Sequence, residues 1–169
     1  SNLLILNSLT YDYQIIDTES IRQEIIKKLL TSEILALDTE TTGTDPMDAE
    51  LVGMSFSIAE NQAFYIPVPA GREEATKIVQ EFESVFKNEK SLKVGQNIKY
   101  DMLVLQNYGI EIRGRLFDTM VAHYVLQPEL RHNMDYLGAF YLQYQTIQIE
   151  EWLGPRGIGH NNMRAHAPK

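Results

Sequence analysis

The feature that most restricts the fold is a short apolar run, Ile34-Leu35-Ala36-Leu37, that ends abruptly on Asp38-Thr39-Glu40. An apolar run with no polar residue inside it reads as a strand buried on both faces, the kind found in sheets covered by helices. Residues two apart on a strand share a side, so Asp38 and Glu40 are expected to project together at the strand's end. Two ionised carboxylates side by side repel each other and are costly to desolvate. A divalent cation removes both costs, and hard oxygen donors suit magnesium or manganese. The plainer alternative is that both carboxylates simply leave the strand into a solvated turn at Thr41-Thr42-Gly43.

The rest of the chain alternates strands with helices. Tyr11–Ile16 reads as a first strand or its approach. Glu19–Leu30 reads as a helix with Ile21, Ile25 and Leu29 inward and Thr18 as its N-cap. Leu51–Ala59 and Gln62–Val68 are rich in strand formers and are separated only by Glu60-Asn61, which predicts a hairpin. Pro67 should end its second strand. Glu73–Phe86 reads as one amphipathic helix with Ile78, Phe82 and Val85 or Phe86 inward. Leu92–Gly95 is a strand, followed by a helix from Lys99 to Tyr108 with Gly109 at its C′ position. Leu116-Phe117 is a last short strand. Asp118 caps a helix over Met120–Leu126, and Asn133 caps another over Met134–Leu142. Residues 154–162 read as a loop. The expectation is a mixed-sheet α/β domain.

A second strand end carries polar residues, Gln96-Asn97-Ile98-Lys99-Tyr100-Asp101. Taken alone, Asn97 caps the helix and Asp101 complements its dipole. Ligands in open α/β sheets sit at the carboxyl ends of strands, so two such ends from one sheet bring Asp101 near Asp38 and Glu40. Three converging carboxylates are hard to justify without metal.

Composition bounds the function. The 169 residues contain no cysteine, which excludes a thiol nucleophile, a disulfide scaffold and an iron–sulfur site. Fifteen basic against twenty-three acidic residues leave a net charge of −8, which at long range repels a polyanion. No apolar run approaches the roughly 20 residues of a membrane span. No basic leader precedes the first strand, so a cytoplasmic protein without a membrane partner is expected.

Several motifs now stand in a definite order. Asp38-Thr39-Glu40-Thr41 and Gln96-Asn97-Ile98-Lys99-Tyr100-Asp101 are followed by Phe117-Asp118-Thr119-Met120, Arg131-His132-Asn133-Met134-Asp135 and Tyr144-Gln145-Thr146-Ile147. In that order they resemble the proofreading exonuclease domain of bacterial DNA polymerase I (family A), within the DEDD superfamily of 3′–5′ exonucleases. Asp38-Thr39-Glu40-Thr41-Thr42-Gly43 also occurs in epsilon-type proofreading subunits and related RNases. The resemblance implies an RNase H-like α/β fold, a mixed β-sheet flanked by helices, forming a single exonuclease domain over residues 1–169. It also implies two-metal hydrolysis of the 3′-terminal phosphodiester of DNA with two divalent cations, Mg2+ or Mn2+. Asp38 would bridge both metals, Glu40 would bind the first and Asp101 the second. Thr41, Gln96, Asn97, Lys99, Tyr100 and Arg131 match positions along the track of a single-stranded 3′ end. A covalently linked polymerase domain is the implied partner.

Alternatives accompany these matches. Tyr100 also suits core packing, Lys99 and Arg131 suit an ordinary charged surface, and His123 and His132 suit helix-surface or capping roles, the preferred reading for His123. His166 lies on a polar tail without a following Asp, unlike the epsilon-class histidine. Thr44 stands where the family often carries a bulky apolar wedge. The family's third motif, Tyr-x-x-x-Asp, has no match after Asp118: Tyr136 is followed by Phe140 and Tyr141 by Gln145. The expectation is a domain lacking its C-terminal catalytic helix, hence weak metal binding and weak turnover by this chain alone. The rival functions are a catalytically inactive structural or DNA-binding domain and a stand-alone DEDD-type RNase.

Overall fold

The computed structural model describes residues 12–142. Its strands are β1 (Asp12–Ile15), β2 (Ile34–Thr41), β3 (Leu51–Ala59), β4 (Gln62–Pro67), β5 (Leu92–Gly95) and β6 (Leu116–Asp118). Its helices are α1 (Glu19–Leu30), α2 (Arg72–Glu81), α3 (Glu83–Phe86), α4 (Ile98–Gln106), α5 (Thr119–Leu126) and α6 (Met134–Leu142). The strands form one mixed sheet in the order β1-β4-β3-β2-β5-β6. β2, β3 and β4 make an antiparallel meander, whereas β5 joins β2 in parallel and β6 joins β5 in parallel. The tail loop expected over residues 154–162 and the Tyr144–Ile147 match lie outside the described residues.

The core sits between one sheet face and helices α1 to α4. Leu35 and Leu37 of β2, Met54 and Phe56 of β3, and Phe64 and Ile66 of β4 supply the sheet side. Ile25, Ile26 and Leu29 of α1, Val79 of α2, Val85 and Phe86 of α3, and Val104 and Leu105 of α4 close over them. The β3–β4 hairpin turns on Glu60-Asn61 as expected, with Asn61 at φ 59°. Thr18 caps α1, accepting from the Ile21 amide at 3.4 Å, and Gly109 follows α4 at φ 78°.

Three expectations about the elements need correction. β2 is covered on one face only: Leu35 and Leu37 are buried, but Ile34 is 57% exposed and Ala36 is exposed too. The apolar run is thus a strand of alternating burial whose small outward residue, Ala36, hides the alternation. In α1 the inward stripe is Arg22, Ile25, Ile26 and Leu29, with Ile21 outside. Arg22 is turned inward by a two-pronged pair with Glu81, Nε to Oε2 and Nη2 to Oε1, both at 2.9 Å. The single helix expected over Glu73–Phe86 is two, broken at Phe82 (ψ 5°). The break lets the Phe82 ring stack on Phe56, centroids 5.5 Å apart and 13° from parallel.

Candidate active site

β2 stays extended through Thr41, so the side chains of Asp38 and Glu40 fall on the face opposite Leu35 and Leu37. Thr39, between them, is buried on the core side. Pairing between β2 and β3 slips here: Glu40 faces Gly53, but Thr41 faces Leu51, leaving Val52 as an extra residue. Such a bulge bends the strand and re-aims its last side chains.

Asp101 arrives from the neighbouring crossover. β5 pairs with β2 only as far as Ala36 opposite Val94. Beyond that point the Thr39 amide has no strand partner on this side, and α4 supplies one. Thr39 donates twice to Asp101 Oδ1, from its backbone N at 2.9 Å and from Oγ1 at 2.6 Å. Asp101 is only 2% exposed. Asp101 is thereby held against Thr39 and lies near enough to Asp38 for its charge to raise that carboxyl.

The electrostatics of the three carboxylates follow from that placement. Burial pushes the Asp38 carboxyl up to about 7, with the charges of Asp101 and Glu40 adding to the rise and a bond from the Thr39 backbone opposing it. Burial also raises Glu40. Asp101 is raised by burial as well, against the two bonds from Thr39. Uncompensated negative charge in a partly desolvated place is what a hard cation relieves. The donor chemistry fits magnesium or manganese. Among the described residues, however, no group of three acidic or histidine side chains is gathered tightly enough to hold a metal ion. The trio supplies the charge and the oxygen donors without closing a cage.

The other candidate residues separate into those tied into the protein and those facing out. The Tyr100 hydroxyl lies 2.6 Å from Thr41 Oγ1 and donates to the Gly43 carbonyl at 2.6 Å. Thr41 itself donates to Gly43 at 2.9 Å. Tyr100 also packs its ring against the core, as the packing alternative expected. Gln96 donates to the His132 carbonyl at 2.7 Å and accepts from the Thr119 hydroxyl. Asn97 is exposed in a left-handed conformation, φ 60°, and its side chain makes no cap bond, contrary to the capping role. Lys99 and Arg131 are exposed.

His123 is buried rather than on a helix surface, with its Nδ1 2.6 Å from Nδ1 of His132. A groove of about 280 Å3 runs along the sheet face beside Asp38, lined by Ser55, Ser57, Ala63, Val94, Gln96 and Met134 among others.

Two contacts escaped the sequence reading, although Asp118 caps α5 as expected. Thr39 is the clamp on Asp101, and Asp118 bonds to α4 as well as to α5. The signal for Thr39 was its place between the two acids, where it must face the opposite side.

A family model described as a 3′–5′ exonuclease matches residues 13–162. The chain belongs to that family. DNA polymerase I of Pseudomonas aeruginosa is 36% identical over 152 residues, covering 85% of this chain and 17% of that protein. The exonuclease chain thus spans less than a fifth of the length of that curated relative.

Solved structures share the fold. RNase D of Trypanosoma brucei in complex with RNA U12 matches with a TM-score of 0.70 at 18% identity, covering 94% of this chain and 59% of that one. Brucella melitensis NrnC with bound Mg2+ matches with a TM-score of 0.64 at 18% identity, covering 94% and 75%. The six-stranded mixed sheet flanked by helices is the RNase H-like architecture expected from the sequence. No helix among the described residues is long and apolar enough to cross a membrane.

Proposed function

We propose that this chain is the proofreading domain of a DNA polymerase I, removing nucleotides from a single-stranded 3′ end of DNA as nucleoside monophosphates. The observation that carries the reading is the clamp between Thr39 and Asp101, which holds a third carboxylate, from the first turn of α4, against the end of β2 that carries Asp38 and Glu40. Asp38 and Glu40 would hold one divalent cation, and Asp38 with Asp101 a second. Bound there, the pair of cations supplies an activated water and neutralises the leaving 3′ oxygen.

The protein's own groups do the rest. Thr39 keeps Asp101 oriented, and its two bonds oppose the rise that burial gives that carboxyl. Tyr100 and Thr41 pin the Gly43 carbonyl, which fixes the loop leaving β2 beside the carboxylates. Gln96 ties the end of β5 to α5 and to the segment before α6. Asn97, Lys99 and Arg131 offer exposed polar and cationic groups to a strand's phosphates. The covalent neighbour in the parent protein would be the polymerase, as in the curated relatives.

Asp38→Ala in the full-length protein is expected to abolish shortening of a single-stranded DNA oligonucleotide in magnesium while leaving polymerisation intact. Undiminished shortening would overturn the assignment. A stand-alone RNase of the same superfamily is favoured by one observation, the likeness to the RNA-bound RNase D structure. Faster digestion of RNA than of DNA would select it. The inactive-scaffold reading sits badly with the retention of Asp38, Glu40 and Asp101. The sequence holds no Tyr-x-x-x-Asp after Asp118, so this chain by itself should be a poor nuclease; robust turnover would require a carboxylate from elsewhere.

A further inference from the structure

Asp118 caps α5 as its position predicts, accepting from the Met120 amide at 2.9 Å and the Val121 amide at 3.2 Å, both on Oδ1. The same carboxylate reaches back to the crossover before α4. Oδ1 also accepts from the Asn97 amide at 3.1 Å, and Oδ2 accepts from the Ile98 amide at 2.9 Å. One side chain therefore satisfies the first donors of two helices. α4 has no side-chain cap of its own, because Asn97 is left-handed and its side chain makes no cap bond. A non-glycine residue at positive φ is held there by its surroundings: its own amide and the next one bond to Asp118, and its carbonyl accepts from the Tyr100 amide at 2.9 Å.

The placement of Asp118 makes this a geometric device. Its backbone is fixed in the sheet opposite Gly95, the last residue of the strand that feeds α4. From there it sets where α4 begins. Tyr100 and Asp101 stand in the first turn beyond that point. A slip of one residue turns a helix by about 100° and moves it about 1.5 Å, more than the bond from Thr39 to Asp101 tolerates.

We propose that Asp118 is a positioning residue for the metal site: it fixes the rotation and depth of α4 so that Asp101 meets Thr39 beside Asp38. The proposal rests on the nuclease reading above.

Asp118→Asn separates the two caps chemically. Its one amide oxygen can replace Oδ1, which carries the bonds from Asn97, Met120 and Val121. The amide nitrogen then faces the Ile98 amide, and that bond is lost. In the full chain, amide hydrogen exchange at residues 98–101 is expected to speed up while residues 120 and 121 stay protected. Mn2+ affinity, read by electron paramagnetic resonance of the free ion, is expected to fall about 10- to 100-fold, the usual effect of losing a group that orients a metal ligand. Asp118→Ser, whose hydroxyl caps α5 alone, should give the same loss and covers the case in which Asp118→Asn fails to fold.

Asn133→Ala is the control. It removes the cap that accepts from the Tyr136 amide at 3.0 Å, and should lower the unfolding midpoint without weakening Mn2+ binding. Equal Mn2+ affinity in wild type and the Asp118 variants would overturn the proposal alone. So would unchanged exchange at Ile98, or a loss matched by Asn133→Ala. The measurements are made on the full-length protein, and a wild-type full-length protein that binds no Mn2+ would overturn the nuclease reading and the proposal together.

Discussion

At the residue scale, Asp38 couples the site to stability. Its folded value of about 7 lies above the ordinary 3.8 of an aspartate. Between those values the folded chain keeps a proton that the unfolded chain has lost. Stability of the metal-free protein should therefore decline as pH rises from about 4 to about 7 and level off above that. Denaturant unfolding at stepped pH checks this, and Asp38→Asn should flatten the decline. Gly114 tests the backbone. It sits at φ 88°, and a Cβ there would come within 2.9 Å of the Glu89 backbone. Gly114→Ala should cost about 2 kcal/mol, combining left-handed strain with the clash. The acids Asp38, Glu40 and Asp101 were legible because charge at a strand's end demands an explanation. Thr39 was not, because its bond to Asp101 exists only where β5 parts from β2, and no residue marks that parting.

At the element scale, α1 shows how one pair redirects a helix. Four-residue spacing of Ile21, Ile25 and Leu29 predicted the stripe, yet Ile21 yields its place to Arg22, whose guanidinium joins α1 to Glu81 of α2. Periodicity cannot see an ion pair spanning two helices. Arg22→Lys should lower stability by roughly 2 kcal/mol in thermal unfolding, because an ammonium cannot reproduce the fork in a site that is only 10% exposed. The hairpin, α1, β5 and α6 were readable in their local residues. The break between α2 and α3 was not, since it answers to Phe56, a residue of β3.

At the scale of the whole molecule, the strand order was the least legible feature, because β2 lies between β3 and a strand more than fifty residues further on. The net charge of −8 bears on substrate. Without divalent cations, the chain should show no binding of single-stranded DNA by fluorescence anisotropy at physiological salt. Adding Mg2+ should restore it, since cations held by Asp38, Glu40 and Asp101 reverse the local charge that a strand's phosphates meet there. The sheet order has a kinetic consequence. The β2–β3–β4 meander closes over short loops, whereas β5 must cross back over α2 and α3 before it can join. Nearby pairings form fastest, so substitutions in the hairpin should slow refolding, and those in β5 should chiefly hasten unfolding. The half of the site that carries Asp38 and Glu40 would then assemble early in each refolding event and wait, still lacking its third acid, for Asp101 to dock.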